Sequence, residues 1–394
     1  MTVPVRILHR PGAPVTTVSL WLLTGSRDEP EELSGSTHLL EHLLMQAPLP
    51  SGERPVDLLE ALGGEANAIT SRDYLVLYAR VPTAEAATAL DVLCRAAAAP
   101  GLGEEALAAE RKVVLEEVRL AASDPFDAVH DLFYATAFPG QPMGRPVGGT
   151  ARSVAGIGLE DLRERLAGAP LGVVVCGGAG PEAVMPVVES LPEPPGPAGA
   201  PHPPGRQAAR LHGGRAHLPL NSDSAGIVLG GAAVPYGDRL LPAFEVMVDL
   251  VAEASSALLV EEIRNRRGLA YEMWGSVAEY RDVGTWRVFV ATAPDQVEEV
   301  VEVATTLLAR QAARGWSTGE VEVAARRTAG RLLLECEQSL EETLLYGQHH
   351  LVAGHPEWSL GEHLRALGQV SAGEVLECLR HAIDPLVVAV AGPG

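Results

Sequence analysis

Residues 171–180, LGVVVCGGAG, form an apolar run closed by glycines, and about 214 residues later residues 385–394, PLVVAVAGPG, repeat the pattern. Short apolar runs rich in β-branched residues and bounded by turn residues read as buried strands. Working outward, residues 3–25 read as two β segments, VPVRILHR and VTTVSLWLLTG, joined by a Pro11-Gly12 turn, and SAGIVLGGAAVP answers the second of them in the later half. ANAITSRDYLVLYARV reads as one or two strands, matched later by WGSVAEY and GTWRVFVATA. Helical patterns lie between: 56–62, 84–98, 103–120, DAVHDLFYATAF and LEDLRERLAG early, then LPAFEVMVDLVAEASS and two or three long helices. The chain therefore reads as α+β, two homologous domains that are each a mainly antiparallel sheet packed with helices. Residues 192–206, PEPPGPAGAPHPPGR, hold too many Pro and Gly to continue either structure and read as a linker. The expected boundaries are 1–191, 192–206 and 207–394.

A chain of 394 residues is long for a single core, which agrees with that division. No apolar stretch approaches the roughly 20 residues of a membrane span, and the N-terminus lacks a basic region followed by an apolar core. A cytoplasmic location without a membrane partner is the expectation. The net charge of -21 argues against nucleic acid, which needs clustered Lys and Arg, and serves solubility before it serves any cationic ligand. Cys94, Cys176, Cys336 and Cys378 stand singly, without the paired spacing of a disulfide framework or a cysteine zinc site, and read as buried thiols.

The chemistry sits in residues 36–44, STHLLEHLL, with Ser36 read as the N-cap of a helix. At about 100° per residue His38 and His42 share one face, with Glu41 close to it. Two such imidazoles can bind one divalent metal, and a carboxylate beside them can take a proton from water. Alone, the spacing fits a bland helix with one buried and one exposed histidine about as well. A third donor decides, and ALAAERKVVLEEVRL supplies candidates: Glu110 and Glu117, seven residues apart, share a face, while Glu116 points away. One carboxylate on the metal and one orienting a histidine would use such a pair; a solvated acidic face is the alternative.

The His-x-x-Glu-His order, followed some 75 residues later by LEE, resembles the pitrilysin/insulinase family of zinc metallopeptidases, the inverzincins. TGSRDEPEELSGSTHLLEHLL, GGEANAITSRDYLVLYARV, ERKVVLEEVRLAASDPFDAVHDLF, PMGRPVGGT and LLVEEIRNRRGLAYEMWGS resemble further blocks of that family, in order and in both halves. The resemblance implies that His38, His42 and Glu117 bind Zn2+, that Glu41 is the general base, and that Glu110 supports a ligand histidine. It implies that Asn67 and Ala68 lie on the strand beside the substrate backbone, and that Arg264 and Tyr271 contact substrate or the developing oxyanion. Leu43 and its successors, and Asp73 where the family often has Glu, depart from the pattern and bear on substrate preference. Gly230-Gly231 lacks the context of a phosphate loop.

The activity implied is endopeptidase cleavage of peptides or a peptide precursor. Family members of this size form half of a closed chamber, which implies a homodimer or a heterodimer with a related chain. The alternative is a non-catalytic peptide-binding or assembly subunit, although such subunits usually lose the metal residues.

Overall fold

The computed structural model describes residues 3–98, 102–191 and 208–393, so the linker expected at 192–206 lies outside the described residues. Among the described residues ten strands form two five-stranded sheets of one topology. In the first, strands β1 (Val5–His9), β2 (Val15–Leu22), β3 (Glu65–Thr70), β4 (Leu75–Pro82) and β5 (Leu171–Gly177) lie in the order β1-β5-β2-β4-β3. In the second, β6 (Gly214–Pro219), β7 (Ala225–Ala233), β8 (Glu272–Glu279), β9 (Gly284–Thr292) and β10 (Leu386–Gly392) lie in the order β6-β10-β7-β9-β8. Of these pairs β1 with β5 and β6 with β10 run parallel, and the others are antiparallel. The two sheets are thus the same fold drawn twice, and the matched runs at 171–180 and 385–394 carry β5 and β10 at equivalent places.

The chain forms two compact units, and each takes one segment from the opposite half of the sequence. Residues 334–357 join the first unit, and residues 119–145 join the second. Small residues make room for these visitors. In the first unit Gly347 packs so closely on the indole of Trp21 that a Cβ would lie 2.0 Å from the ring. Thr17 and Ser339 share a hydroxyl hydrogen bond of 2.7 Å nearby. In the second, a Cβ on Gly226 would lie 2.6 Å from the Pro125 carbonyl oxygen, and one on Gly230 would lie 3.0 Å from the Phe133 ring. Close packing therefore explains Gly230-Gly231.

The first unit positions the candidate site. Helix α1 (Ser36–Gln46) buries Leu39, Leu40, Leu43 and Leu44 in the core against Leu75, Leu77 and Ala68 of the sheet. Each such leucine stabilises the fold by about 1.5–3 kcal/mol. The opposite stripe is left to His38, Glu41 and His42. Helices α2 (Pro55–Ala61) and α3 (Ala86–Ala97) follow, then α4 (Glu104–Ser123) and α5 (Pro125–Ala137). Along α4 only Leu107 and Val114 are buried, seven residues apart. That narrow stripe seats α4 on the core and carries Glu110 and Glu117 with it, each three residues further on.

One expectation is corrected here. The N-cap of α1 is Gly35, not Ser36, with φ of 92° in the left-handed region. A side chain there would meet the Gly148 carbonyl oxygen at 2.6 Å. The cap is supplied from a distance by Glu29, whose carboxylate accepts from Gly35 N and Thr37 N at 2.7 Å and from the Thr37 hydroxyl at 2.6 Å. The carboxyl oxygens there satisfy the open amides of the first turn and, when ionised, complement the helix dipole; burial raises the Glu29 pKa, with Arg165 and these hydrogen bonds pulling it down.

Candidate metal centre

Among the described residues one group of side chains could hold a metal ion: His38, His42 and Glu117, whose ligand atoms all lie within 4.8 Å of one another. Nε2 of His42 is 3.3 Å from Glu117 Oε2, and Nε2 of His38 is 3.6 Å from the same oxygen. The two imidazoles stand edge to face, centroids 4.9 Å apart. They present Nε2 inward because consecutive turns of α1 stack them on one side. Two imidazoles and one carboxylate, converging from two helices, is a donor set that suits zinc and would supply its three protein ligands.

Glu110 serves the other end of His42: its Oε2 lies 3.3 Å from Nδ1. A carboxylate can only accept at that distance, so the contact favours the Nδ1–H tautomer, the one that would leave the Nε2 lone pair for a metal. Glu116, on the same helix, is exposed and stands outside the cluster. Burial holds the His38 imidazole below its ordinary value of 6.5, with Glu41 and Glu117 pulling it up and His42 pushing it down. A neutral imidazole is the form that binds metal. The Nδ1 of His38 is buried without a hydrogen-bond partner among the described residues, and the backbone at Gly148 passes close enough that a Cβ there would lie 3.4 Å away.

Glu41 does not enter the metal cluster. Its carboxylate accepts a hydrogen bond from the Thr70 hydroxyl, at the end of β3. Thr70 stands in the segment GGEANAITSRDYLVLYARV, where no local spacing marks it as a partner of Glu41. Asn67 and Ala68 lie on β3, which is the outer strand of its sheet beside β4. Asn67 is exposed, its Oδ1 accepting from Ala68 N at 2.9 Å, whereas the Ala68 side chain is buried. Asp73 is buried and faces Arg27 across 3.5 Å, which gives the position a structural duty in the turn after β3.

Arg264 and Tyr271 belong to the second unit. Arg264 lies in a wide helical turn, Val260–Arg266, with its Nε 3.4 Å from Asn265 Oδ1. Tyr271 is 62% exposed just before β8, edge to face with Phe126 at 6.4 Å. Arg264 is half-buried and Tyr271 exposed, so neither is a buried packing residue.

Twin α+β units, with His-x-x-Glu-His on a helix and a convergent carboxylate, define a chain of the zinc-peptidase class. The chain belongs to the insulinase, or M16, peptidase family: residues 5–151 match the insulinase (peptidase family M16) domain, and residues 172–328 match the peptidase M16 inactive domain. It is 29% identical over 384 residues to an uncharacterized zinc protease of Streptomyces coelicolor, covering 95% of this chain and 83% of that one. It is 28% identical over 392 residues to an uncharacterized zinc protease of Mycobacterium tuberculosis, covering 97% and 89%. Over 155 residues it is 36% identical to a probable mitochondrial-processing peptidase subunit beta of Arabidopsis thaliana, covering 38% of this chain and 29% of that one. The fold matches that of a protease from Helicobacter pylori with a TM-score of 0.87 at 18% identity, covering 100% of this chain and 98% of that one. It also matches a peptidase M16 inactive domain from Pseudomonas fluorescens with a TM-score of 0.88 at 17% identity, covering 100% and 96%.

Proposed function

We propose that this chain is a zinc-dependent endopeptidase that hydrolyses peptides or a peptide precursor. The observation that carries this reading is the convergence of His38 Nε2, His42 Nε2 and a Glu117 oxygen within 4.8 Å, beside a carboxylate, Glu41, that the metal does not need. Zinc held by His38, His42 and Glu117 would polarise the scissile carbonyl and acidify water. Glu41 takes a proton from the attacking water as the new C–O bond forms, then delivers it to the amine as the C–N bond breaks. Glu110 keeps His42 in the right tautomer throughout.

An extended peptide adds to the outer edge of β3 through main-chain hydrogen bonds, where the Asn67 amide can both donate and accept. Arg264 and Tyr271 are assigned to substrate or oxyanion contact by family resemblance, and the exposure of Tyr271 supports it. Two such chains, as a homodimer or as a heterodimer with a related chain, would enclose the substrate. Four buried free cysteines favour a reducing compartment such as the cytoplasm. Among the described residues no helix is long and apolar enough to cross a membrane.

The second reading, a non-catalytic peptide-binding or assembly subunit, draws on the match of residues 172–328 to an inactive-domain model. The metal residues of the first unit speak against it. The test compares the native chain with Glu41→Gln on a mixed peptide library, alone and with candidate partner chains. The peptidase reading expects zinc in both proteins and a kcat lower by about 10²–10⁴ in the variant. Zinc-loaded native protein that cuts nothing supports the subunit reading instead.

A further inference from the structure

Glu41 reaches from α1 on a side chain with three rotatable bonds, which left to itself would sample several rotamers. The Thr70 hydroxyl donates to its Oε2. Thr70 itself sits where it cannot drift. The turn that follows β3 is tied to the loop after β2: Ser26 N donates to the Ser71 carbonyl at 3.0 Å, and Arg27 N to the Arg72 carbonyl at 3.2 Å. The buried Arg27 and Asp73 face each other at 3.5 Å across the same junction. Gly25 lets the two loops approach so closely that a Cβ would lie 2.3 Å from the Arg72 carbonyl. The hydroxyl is therefore presented to Glu41 from a pinned turn rather than from a mobile strand end.

We infer that Thr70 is a positioning residue for the reaction proposed above, holding Oε2 of Glu41 so that Oε1 is the oxygen that takes the proton from water and returns it to the leaving amine. The inference rests on the peptidase reading. The arrangement suits both halves of a proton cycle. When Glu41 is ionised, Oε2 accepts from Thr70 as a carboxylate oxygen; when Oε1 carries the proton, Oε2 is the carbonyl oxygen of the acid and still accepts. No hydrogen bond breaks as the proton moves, so the carboxyl plane needs no reorganisation between steps, which is the condition for efficient preorganised proton transfer. Because Thr70 ends the strand whose outer edge is proposed to take the peptide, the same strand orients both the substrate and the base.

The experiment uses the full chain, zinc-loaded, in three forms: native, Thr70→Val, which keeps the shape without the donor, and Thr70→Ser, which keeps the donor. Kinetics on a fluorogenic peptide pool are read with two measurements that need no turnover, zinc content and the affinity of the metal-free protein for a labelled peptide. The expectation for Thr70→Val is a kcat lower by about 10- to 100-fold, with KM, peptide affinity and zinc content within about twofold of native. Thr70→Ser should recover most of the native kcat. Equal kcat in native and Thr70→Val overturns the inference, as does an equal loss in Val and Ser, or a loss that tracks zinc content or peptide affinity. Native protein that cuts no peptide removes the peptidase reading and this inference together, whereas active native protein with an equally active Thr70→Val removes this inference alone.

Discussion

His42 is held from both ends: its Nδ1 lies 3.3 Å from Glu110 Oε2, while its Nε2 lies 3.3 Å from Glu117 Oε2. The first contact favours the Nδ1–H tautomer, and the second marks the candidate metal position. Glu110→Gln should therefore lower zinc affinity by about 10- to 100-fold without unfolding the chain. Glu117→Ala should lose the metal, and Glu116→Ala should keep it. Competition with a chromogenic chelator measures all three, and retention of zinc by Glu117→Ala would show that the donor set is wrong.

The candidate metal face was legible because helical period is a local property. His38, His42, Glu110 and Glu117 could be put on their faces by counting residues, and the repeat of strand patterns gave two like units. Long-range choices were not legible. Glu29 caps α1 from six residues before Gly35, across a folded loop, so no local capping signature marks it. Thr70 reaches Glu41 only because a strand end meets a helix face. The exchange of residues 119–145 and 334–357 between units escaped because periodicity tells which face of a helix is apolar, not which sheet will cover it. Strand β6, GRAHLP, was missed for a simpler reason: it is a short outer strand with no buried residue.

Glu29 links the start of α1 to the candidate ligand His38 that follows it. Its carboxylate accepts from two backbone amides and from Thr37, the residue before His38, and Arg165 Nε donates to the same Thr37 hydroxyl at 2.8 Å. Glu29→Ala would leave buried donors unpaired beside an Arg165 left with Asp28 as its neighbouring carboxylate. The expected cost is about 2–4 kcal/mol, read as a shift in urea midpoint. Zinc affinity should fall with it, because the first turn carries His38. A midpoint within experimental error of native would mean that the cap contributes nothing.

Gly347 and Gly330 give a matched pair for helix packing. A Cβ on Gly347 would lie 2.0 Å from the fully buried Trp21 ring, whereas a Cβ on Gly330 meets nothing within 4 Å. Gly347→Ala should destabilise by about 1–3 kcal/mol through overpacking. Gly330→Ala, inside the helix Thr318–Glu335, should stabilise by roughly 0.5–1 kcal/mol through helix propensity. Thermal melts of the two variants should move in opposite directions; movement in the same direction contradicts the packing described for residues 334–357.

The second unit contains a carboxyl whose proton makes stability depend on pH. Burial, then the charge of Glu245, push Glu279 up to about 8 from its ordinary value of 4.5, against the opposing pull of a backbone hydrogen bond and His363. Burial pulls His363 down, but its hydrogen bond to Glu245, 2.8 Å from Nε2, and the charges of Glu245 and Glu279 leave it raised. Both groups hold a proton more tightly folded than unfolded. Their contribution to stability is therefore complete below their unfolded values and is lost as pH rises through the folded ones, over the window from about 4.5 to about 8 for Glu279. The native chain should lose urea stability between about pH 4.5 and 8, and Glu279→Gln, which keeps the shape and cannot ionise, should lose less of it. At the alkaline end the variant should be the more stable of the two. Parallel stability curves for native and Glu279→Gln across this range would show that Glu279 is ionised in the folded chain at neutral pH.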